Sequence, residues 1–280
     1  MARRYRRCQI TSRGKMSDSN WHADGQLWPT IKPPLVPNEE DVELVLRACM
    51  PALQGLARPP RILVLGVTPA LLDAAWPEGS ELHSVDYDRV MIDVLWKERE
   101  GRTCHCDNWQ SMPFPDRFFD LVVGDCSFNA LPGLDDYAPV LQEIVRVSRP
   151  GAPFVSRFFM QPEPRLTLGT LPAATGGIEV SSGVRLLLAI ASAGENGSLR
   201  FTDVFGLIAA EGHDFEDYMR GLRHGPADIE RTRKILESDQ RLNYPSWPQI
   251  AQAFGPFYSR SELEHPGYDV GRYCPIVRFS

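Results

Sequence analysis

The 280-residue chain predicts an α/β fold built on a doubly wound, mostly parallel sheet. Three observations carry that expectation. Arg61 to Leu65 and Phe119 to Val123 are apolar without alternation, as parallel strands buried on both faces are. Stretches of helical character alternate with the strand-like ones, the order expected of βαβ units. Gly66, Asp86, Asp107 and Gly124-Asp125 end successive strands about 20 residues apart, at the sheet edge where open α/β folds bind ligands.

The elements follow in order. Residues 1–38 read as a basic tail and a Pro-rich arm carrying Trp21 and Trp28, aromatic anchors for that arm. Asn38 is a candidate N-cap for a helix from Glu39 to Leu53, whose acidic first turn suits the helix dipole. Strand Arg61 to Leu65 follows Pro59-Pro60, and a helix starts at Thr68-Pro69. A second strand, Glu81 to Val85, leads into a helix over Val90 to Trp96. A weaker third strand spans Thr103 to Cys106. The fourth is Phe119 to Val123, followed by an amphipathic helix from Tyr137 to Val147 and a fifth strand from Pro153 to Phe159. The ligand-binding core is thus 39–160. Residues 161–245 change to helical patches at Val184 to Ala193, Phe215 to Leu222 and Ala227 to Ser238, read as an insertion over the strand carboxyl ends. Residues 246–280 supply two strands, Phe257 to Leu263 and Cys274 to Phe279, joined around His265-Pro266-Gly267.

Composition narrows the partners. The net charge is −6, but Arg3, Arg4, Arg6, Arg7, Arg13 and Lys15 all precede Met16; without them 24 basic residues face 36 acidic ones, a balance of −12. An acidic body repels phosphate backbones, so no nucleic-acid partner is expected. Arg231 to Lys234 lies among Asp228, Glu230 and Glu237 and reads as a solvated ion-pair face. No apolar run approaches the roughly 18 to 20 residues that span a bilayer, so no membrane partner is expected. Six scattered cysteines without a secretory signal fit reduced thiols in the cytoplasm. Cys104-His105-Cys106 lacks a second pair at zinc spacing and reads as a structural strand rather than a metal site. The oligomeric state is left open.

The strand ends have a chemical logic. Gly66 lets a ligand approach the backbone, and the helix start behind it favours an anionic group such as a carboxylate. Asp86, about 20 residues after that glycine, is placed to accept both ribose hydroxyls of an adenosine ligand. Asp107 can accept from an adenine amino group, with the amide of Asn108 or Trp109 donating to a ring nitrogen. Asp125 stands where a carboxylate would favour a sulfonium. Each residue alone is as readily a turn or a helix cap; the ordered set carries the reading.

The segments Ile62 to Pro69, Val85 to Asp88, Asp107 to Trp109, Phe119 to Asp125 and Glu143 to Gly151 together resemble the class I S-adenosylmethionine (SAM)-dependent methyltransferases, among them a bacterial subset with a Leu-Gly-Val-Thr-Pro cofactor loop. The resemblance covers about residues 40–160 well and the final hairpin loosely. It implies a Rossmann-like, seven-stranded sheet with an antiparallel final strand, and SAM as cofactor. It implies cofactor contacts from Gly66, Val67, Thr68, Asp86, Tyr87, Met91, Asp107, Asn108, Trp109, Gly124, Asp125, Cys126 and Asn129. Val67, Thr68, Pro69 and Ala70 stand where the family usually has further glycines.

Asp125-Cys126-Ser127-Phe128 lacks the motif that accompanies methylation of planar amines, which turns the expectation toward a small-molecule acceptor. In-line methyl transfer needs positioning and water exclusion more than a triad, and no catalytic residue stands out. His213, His224 and His265 are weak candidates for a base. Two rivals remain: a methyltransferase fold that only binds a partner, and a nicotinamide-dependent oxidoreductase, against which the missing G-x-G-x-x-G counts.

Overall fold

In the computed structural model, residues 31–178 and 181–280 are described. The basic start, Trp21 and Trp28 therefore lie outside the described residues. Five parallel strands form first: β1 (Arg61–Leu65), β2 (Glu81–Asp86), β3 (Arg102–Cys106), β4 (Leu121–Asp125) and β5 (Phe154–Arg157). Two three-residue strands of the insertion, β6 (Ser198–Arg200) and β7 (Arg241–Asn243), pair antiparallel in a sheet of their own. The chain ends with β8 (Ser261–Glu264) and β9 (Ile276–Phe279). The main sheet has seven strands in the order β3-β2-β1-β4-β5-β9-β8, with β9 antiparallel to both neighbours. This is the Rossmann-like architecture expected.

Each central strand feeds two cores. Ile62 and Val64 face one side with Leu121 and Val123, covered by helices α1 (Glu39–Leu53), α2 (Pro69–Leu72) and α3 (Arg89–Leu95). Leu63 and Leu65 face the other with Val122 and Phe154, covered by helix α4 (Tyr137–Val147). That two-sided burial is why the strands read as continuous apolar runs. Asn38 caps α1 in a capping box with Asp41.

The insertion has a third core. Helices α5 (Leu171–Ala174), α6 (Ser181–Ser192), α7 (Asp203–Ala210), α8 (Phe215–Gly221) and α9 (Pro226–Leu236) pack around Leu187, Ile190, Val204, Ile208 and Met219. Helix α6 is buried on nearly every face, so it runs through the insertion rather than over its surface.

Three expectations need correction. Strand β4 starts at Leu121, two residues late, because Phe119 makes an isolated bridge to Ser148 instead of joining the ladder. Residues 246–280 are not strands alone: Ser246 and Gln249 form a capping box that starts helix α10 (Trp247–Phe254). The strand expected from Phe257 therefore begins at Ser261, while Phe257 and Tyr258 pack behind α10. Among the described residues no helix is long and apolar enough to cross a membrane. Cys104-His105-Cys106 does form part of β3: the thiols pack toward the core under α3, and the imidazole meets Phe114 edge-on at 5.0 Å.

Candidate active site

The strand carboxyl ends and the insertion enclose a cavity of about 280 Å³. Parallel register brings the ends level: Leu65 pairs with Val85 and Gly124, and Asp125 with Arg157. The sheet wall includes Gly66, Val67, Thr68, Asp86, Tyr87, Met91, Trp109, Asp125, Cys126 and Asn129. Ten of the thirteen expected cofactor residues thus share one surface. Asp107, Asn108 and Gly124 do not line it.

Gly66 has φ of +89°, a conformation that side chains rarely adopt. A Cβ there would lie 3.6 Å from Asp86 Oδ2, so glycine is needed for the backbone turn more than for space. Gly124 is different. A Cβ on it would stand 2.7 Å from Ser127 Oγ, and Ser127 in turn donates to the Leu65 carbonyl at 2.9 Å. Its role is to let the chain turn tightly beneath the cavity.

Asp86 is 8% exposed. Its carboxylate accepts from the Val67 amide at 3.2 Å and the Asp88 amide at 2.9 Å. Burial pushes its pKa up to about 6, opposed by those two amides and assisted by the nearby Asp88 charge. Asp88 caps α3 by accepting from Val90 and Met91. Helix α2 is one turn long, so its dipole offers little to an anion, and the expectation of a helix-bound carboxylate loses its support. Asp107 and Asn108 are tied up in a turn: Asp107 accepts from the Asn108 amide and Asn108 from Gln110. Trp109 donates its indole N–H to the Val85 carbonyl at 2.7 Å and lies under Gly66.

Asp125 does not present a free carboxylate. Arg157 Nε donates to its Oδ1 at 2.6 Å, and Arg157 Nη1 donates to Asp41 Oδ2 and the Pro34 carbonyl, both at 2.9 Å. Burial works against the Arg157 charge, but the Asp125 and Asp41 carboxylates overcome it and hold the guanidinium protonated. Asn129 is spent as well. Its amide donates to the carbonyls of Phe159 and Asn243 and its oxygen accepts from the Phe159 amide. Asn243 then donates to the carbonyls of Phe128 and Leu131 and accepts from Tyr137. This buried amide pair fastens the insertion to the turn after β4. Cys126, at φ of +53°, sits on that turn and lines the cavity.

Sequence reasoning missed the opposite wall. Leu186, Leu188 and Ala189 of α6, Ile235 and Leu236 of α9, and Tyr244 make it apolar, and Arg185 and Arg231 stand in it. His213, His224 and His265 do not line the cavity. From the arm, Ile31 and Leu35 close one side. Ser182 of α6 donates to the Pro33 carbonyl there.

Residues 64–156 match a family model described as a methyltransferase domain. Similar curated proteins are demethylmenaquinone methyltransferases of Anoxybacillus flavithermus, 35% identical over 34% of this chain and 40% of that protein, and of Bacillus licheniformis, 34% identical over 34% and 41%. The chain therefore matches less than half the length of these relatives. Among solved structures, one from Rhodobacter sphaeroides, provisionally described as a Zn-dependent alcohol dehydrogenase, superposes with TM-score 0.57 at 11% identity, covering 93% of this chain and 98% of that one. At that identity the likeness is one of fold alone.

Proposed function

We propose that the protein transfers the methyl group of SAM to a small-molecule acceptor held between the sheet ends and the helical insertion. The observation that carries this is the shared cavity. A buried carboxylate at the end of β2 and a left-handed glycine at the end of β1 form one wall, and an apolar helical wall faces them.

The residues suit the cofactor. Asp86 is a buried acceptor beside the turn after β1, placed for paired hydroxyl donors, and Gly66 supplies the left-handed backbone of that turn. Tyr87, Met91 and Trp109 would flank a flat ring. When bound, SAM supplies an electrophilic methyl on a sulfonium. The chain's own contribution is to bind, orient and exclude water. Leu186, Leu188 and Ile235 keep the acceptor side dry, which favours displacement of a sulfonium by a weakly solvated nucleophile. Because Arg157 already neutralises Asp125, that carboxylate acts as part of the floor rather than as a free counter-charge. No histidine among the described residues reaches the cavity, so the acceptor would bring its own nucleophile in reactive form or lose its proton to water.

Calorimetric titration of the whole chain with S-adenosylhomocysteine and with NADH tests the reading. Binding of the first alone is expected. Binding of NADH alone would turn the assignment to an oxidoreductase, and binding of neither would end the methyl-transfer reading.

A further inference from the structure

Two cations stand in the apolar wall. Arg185 on α6 is half-buried, and its Nη1 reaches only the Ser181 hydroxyl, at 3.2 Å. Its Nε is buried and has no hydrogen-bond partner among the described residues. Arg231 on α9 lines the same cavity, with no ion pair or hydrogen bond among the described residues. Its helix neighbours behave as a solvated face should: Arg233 pairs with Glu216 at 2.8 Å and Lys234 with Glu230 at 3.5 Å. Arg231 is thus the exception to the ion-pair face expected of residues 231–234.

The nearby acid does not account for the pair. Asp228 accepts from Ser181 at 2.8 Å and makes no salt bridge to either arginine. Across the cavity Asp86 is held by amides, Asp88 caps α3 and Asp125 belongs to Arg157. Burial lowers the pKa of Arg185 and the Arg231 charge lowers it further, outweighing the opposing pull of the Asp228 charge. His224 is buried, with a ring nitrogen that has no hydrogen-bond partner among the described residues; burial lowers its pKa, Asp228 opposes that, and the Arg185 charge adds to the lowering. A half-buried guanidinium with an unmet donor, beside a second cation, is unfavourable until an anion arrives.

We propose that the insertion side of the cavity is an anion subsite, and that the molecule it takes is an amphipathic anion: an apolar body bearing a carboxylate, sulfonate or phosphate that Arg185 and Arg231 hold. Naming that molecule the methyl acceptor rests on the methyl-transfer reading; the anion subsite does not. The guanidinium fork suits such oxygens, and Phe201, Leu236 and Tyr244 suit the apolar body. Anchored at the insertion, the ligand would point its other end toward the sheet ends.

Fluorescence titration with two probes tests this. Anilinonaphthalene sulfonate and phenylnaphthylamine share an aromatic body, and only the first is charged. The sulfonate is expected to bind at least about tenfold tighter, the scale of a charge-assisted hydrogen bond. Dodecanoate should displace it and dodecanol should not. Arg185→Gln and Arg231→Gln should each weaken the sulfonate by about tenfold. They should leave phenylnaphthylamine and S-adenosylhomocysteine binding as they were. Should Arg185→Gln fail to fold, the exposed Arg231→Gln carries the same comparison. Equal affinity for the two probes, or variants that weaken both alike, would overturn the proposal. Loss of discrimination with homocysteine-nucleoside binding intact would remove the anion subsite and leave methyl transfer standing. Discrimination without that binding would do the reverse.

Discussion

The sheet ends and the insertion treat buried charge in opposite ways. At the sheet ends every acid on the wall has work inside the protein: Asp86 takes two amides, Asp88 caps a helix, and Asp125 with Asp41 clamps Arg157. Among the described residues, Arg185 and Arg231 of the insertion form no salt bridge to a carboxylate. The acids of the first wall are partnered within the protein, although Arg157 Nη2 is a buried donor without a hydrogen-bond partner among the described residues. On the proposal above, the second wall takes its counter-charge from the ligand. A preorganised wall suits a ligand that is always the same, and an unmet wall suits the ligand that defines specificity.

The largest effect that could break this contrast is on Arg157. Arg157→Met should cost about 3 to 5 kcal/mol of unfolding free energy, because two buried carboxylates lose their cation. Denaturant unfolding would measure it; a loss under about 1 kcal/mol would mean that the clamp does not hold the wall. Next comes the joint between the two regions. Asn243→Ala strands the Phe128 and Leu131 carbonyls and the Tyr137 hydroxyl, for an expected loss of about 1 to 3 kcal/mol. If hydrogen exchange then rises in 161–245 and not in β1 or β4, the insertion is a separable unit.

Asp86 comes third. Asp86→Ala should weaken S-adenosylhomocysteine by more than about 1 kcal/mol in calorimetry, with folding intact. The wild-type affinity should fall as the pH drops through about 6, where the carboxyl takes up a proton and stops accepting two donors. Its effect on stability has the opposite sense. The folded pKa is raised, so the unfolded chain ionises first, and the contribution of Asp86 to stability declines between its ordinary 3.8 and about 6. Thermal melts across that window should fall less steeply in the alanine variant. Smallest of all is Arg185→Leu. With no ion pair to lose among the described residues, it should leave the unfolding free energy within about 0.5 kcal/mol of the wild type, or raise it. A loss near that of Arg157→Met would show the two arginines to be equivalent and erase the contrast.

The two regions also differ in how far they could be read in advance. Strands β1, β2 and β4 announce themselves because two-sided burial demands unbroken apolar runs, and the residues after them must turn or cap. Gly66 and Asp86 were legible for that reason. Helix α10 has a Ser246-Gln249 box with a proline in its first turn, a start signal that lies in a segment read only for its strands. The amide pair Asn129–Asn243 and the fate of Asp125 were not legible, because each depends on partners brought together only by the folded sheet and insertion. Strands β6 and β7 are three residues each, too short for any period to show. Arg231 looked like its neighbours in sequence, and only the folded insertion places this exposed side chain at the cavity wall.

Cys126 carries a consequence of another kind. A thiolate is a strong soft nucleophile, and this one lines a cavity proposed to receive an alkylating agent. Burial pushes its pKa well above the ordinary thiol range, with Arg157 pulling down and Asp125 pushing up. At neutral pH the sulfur therefore stays protonated and slow to react. A protein that handles a methyl donor has to be inert toward its own reagent, and the burial that keeps the Cys126 thiol protonated is compatible with that. Intact-mass and peptide mass spectrometry after long incubation with SAM should find Cys126 unmethylated at pH 7; a gain of one methyl there would show that the shielding fails.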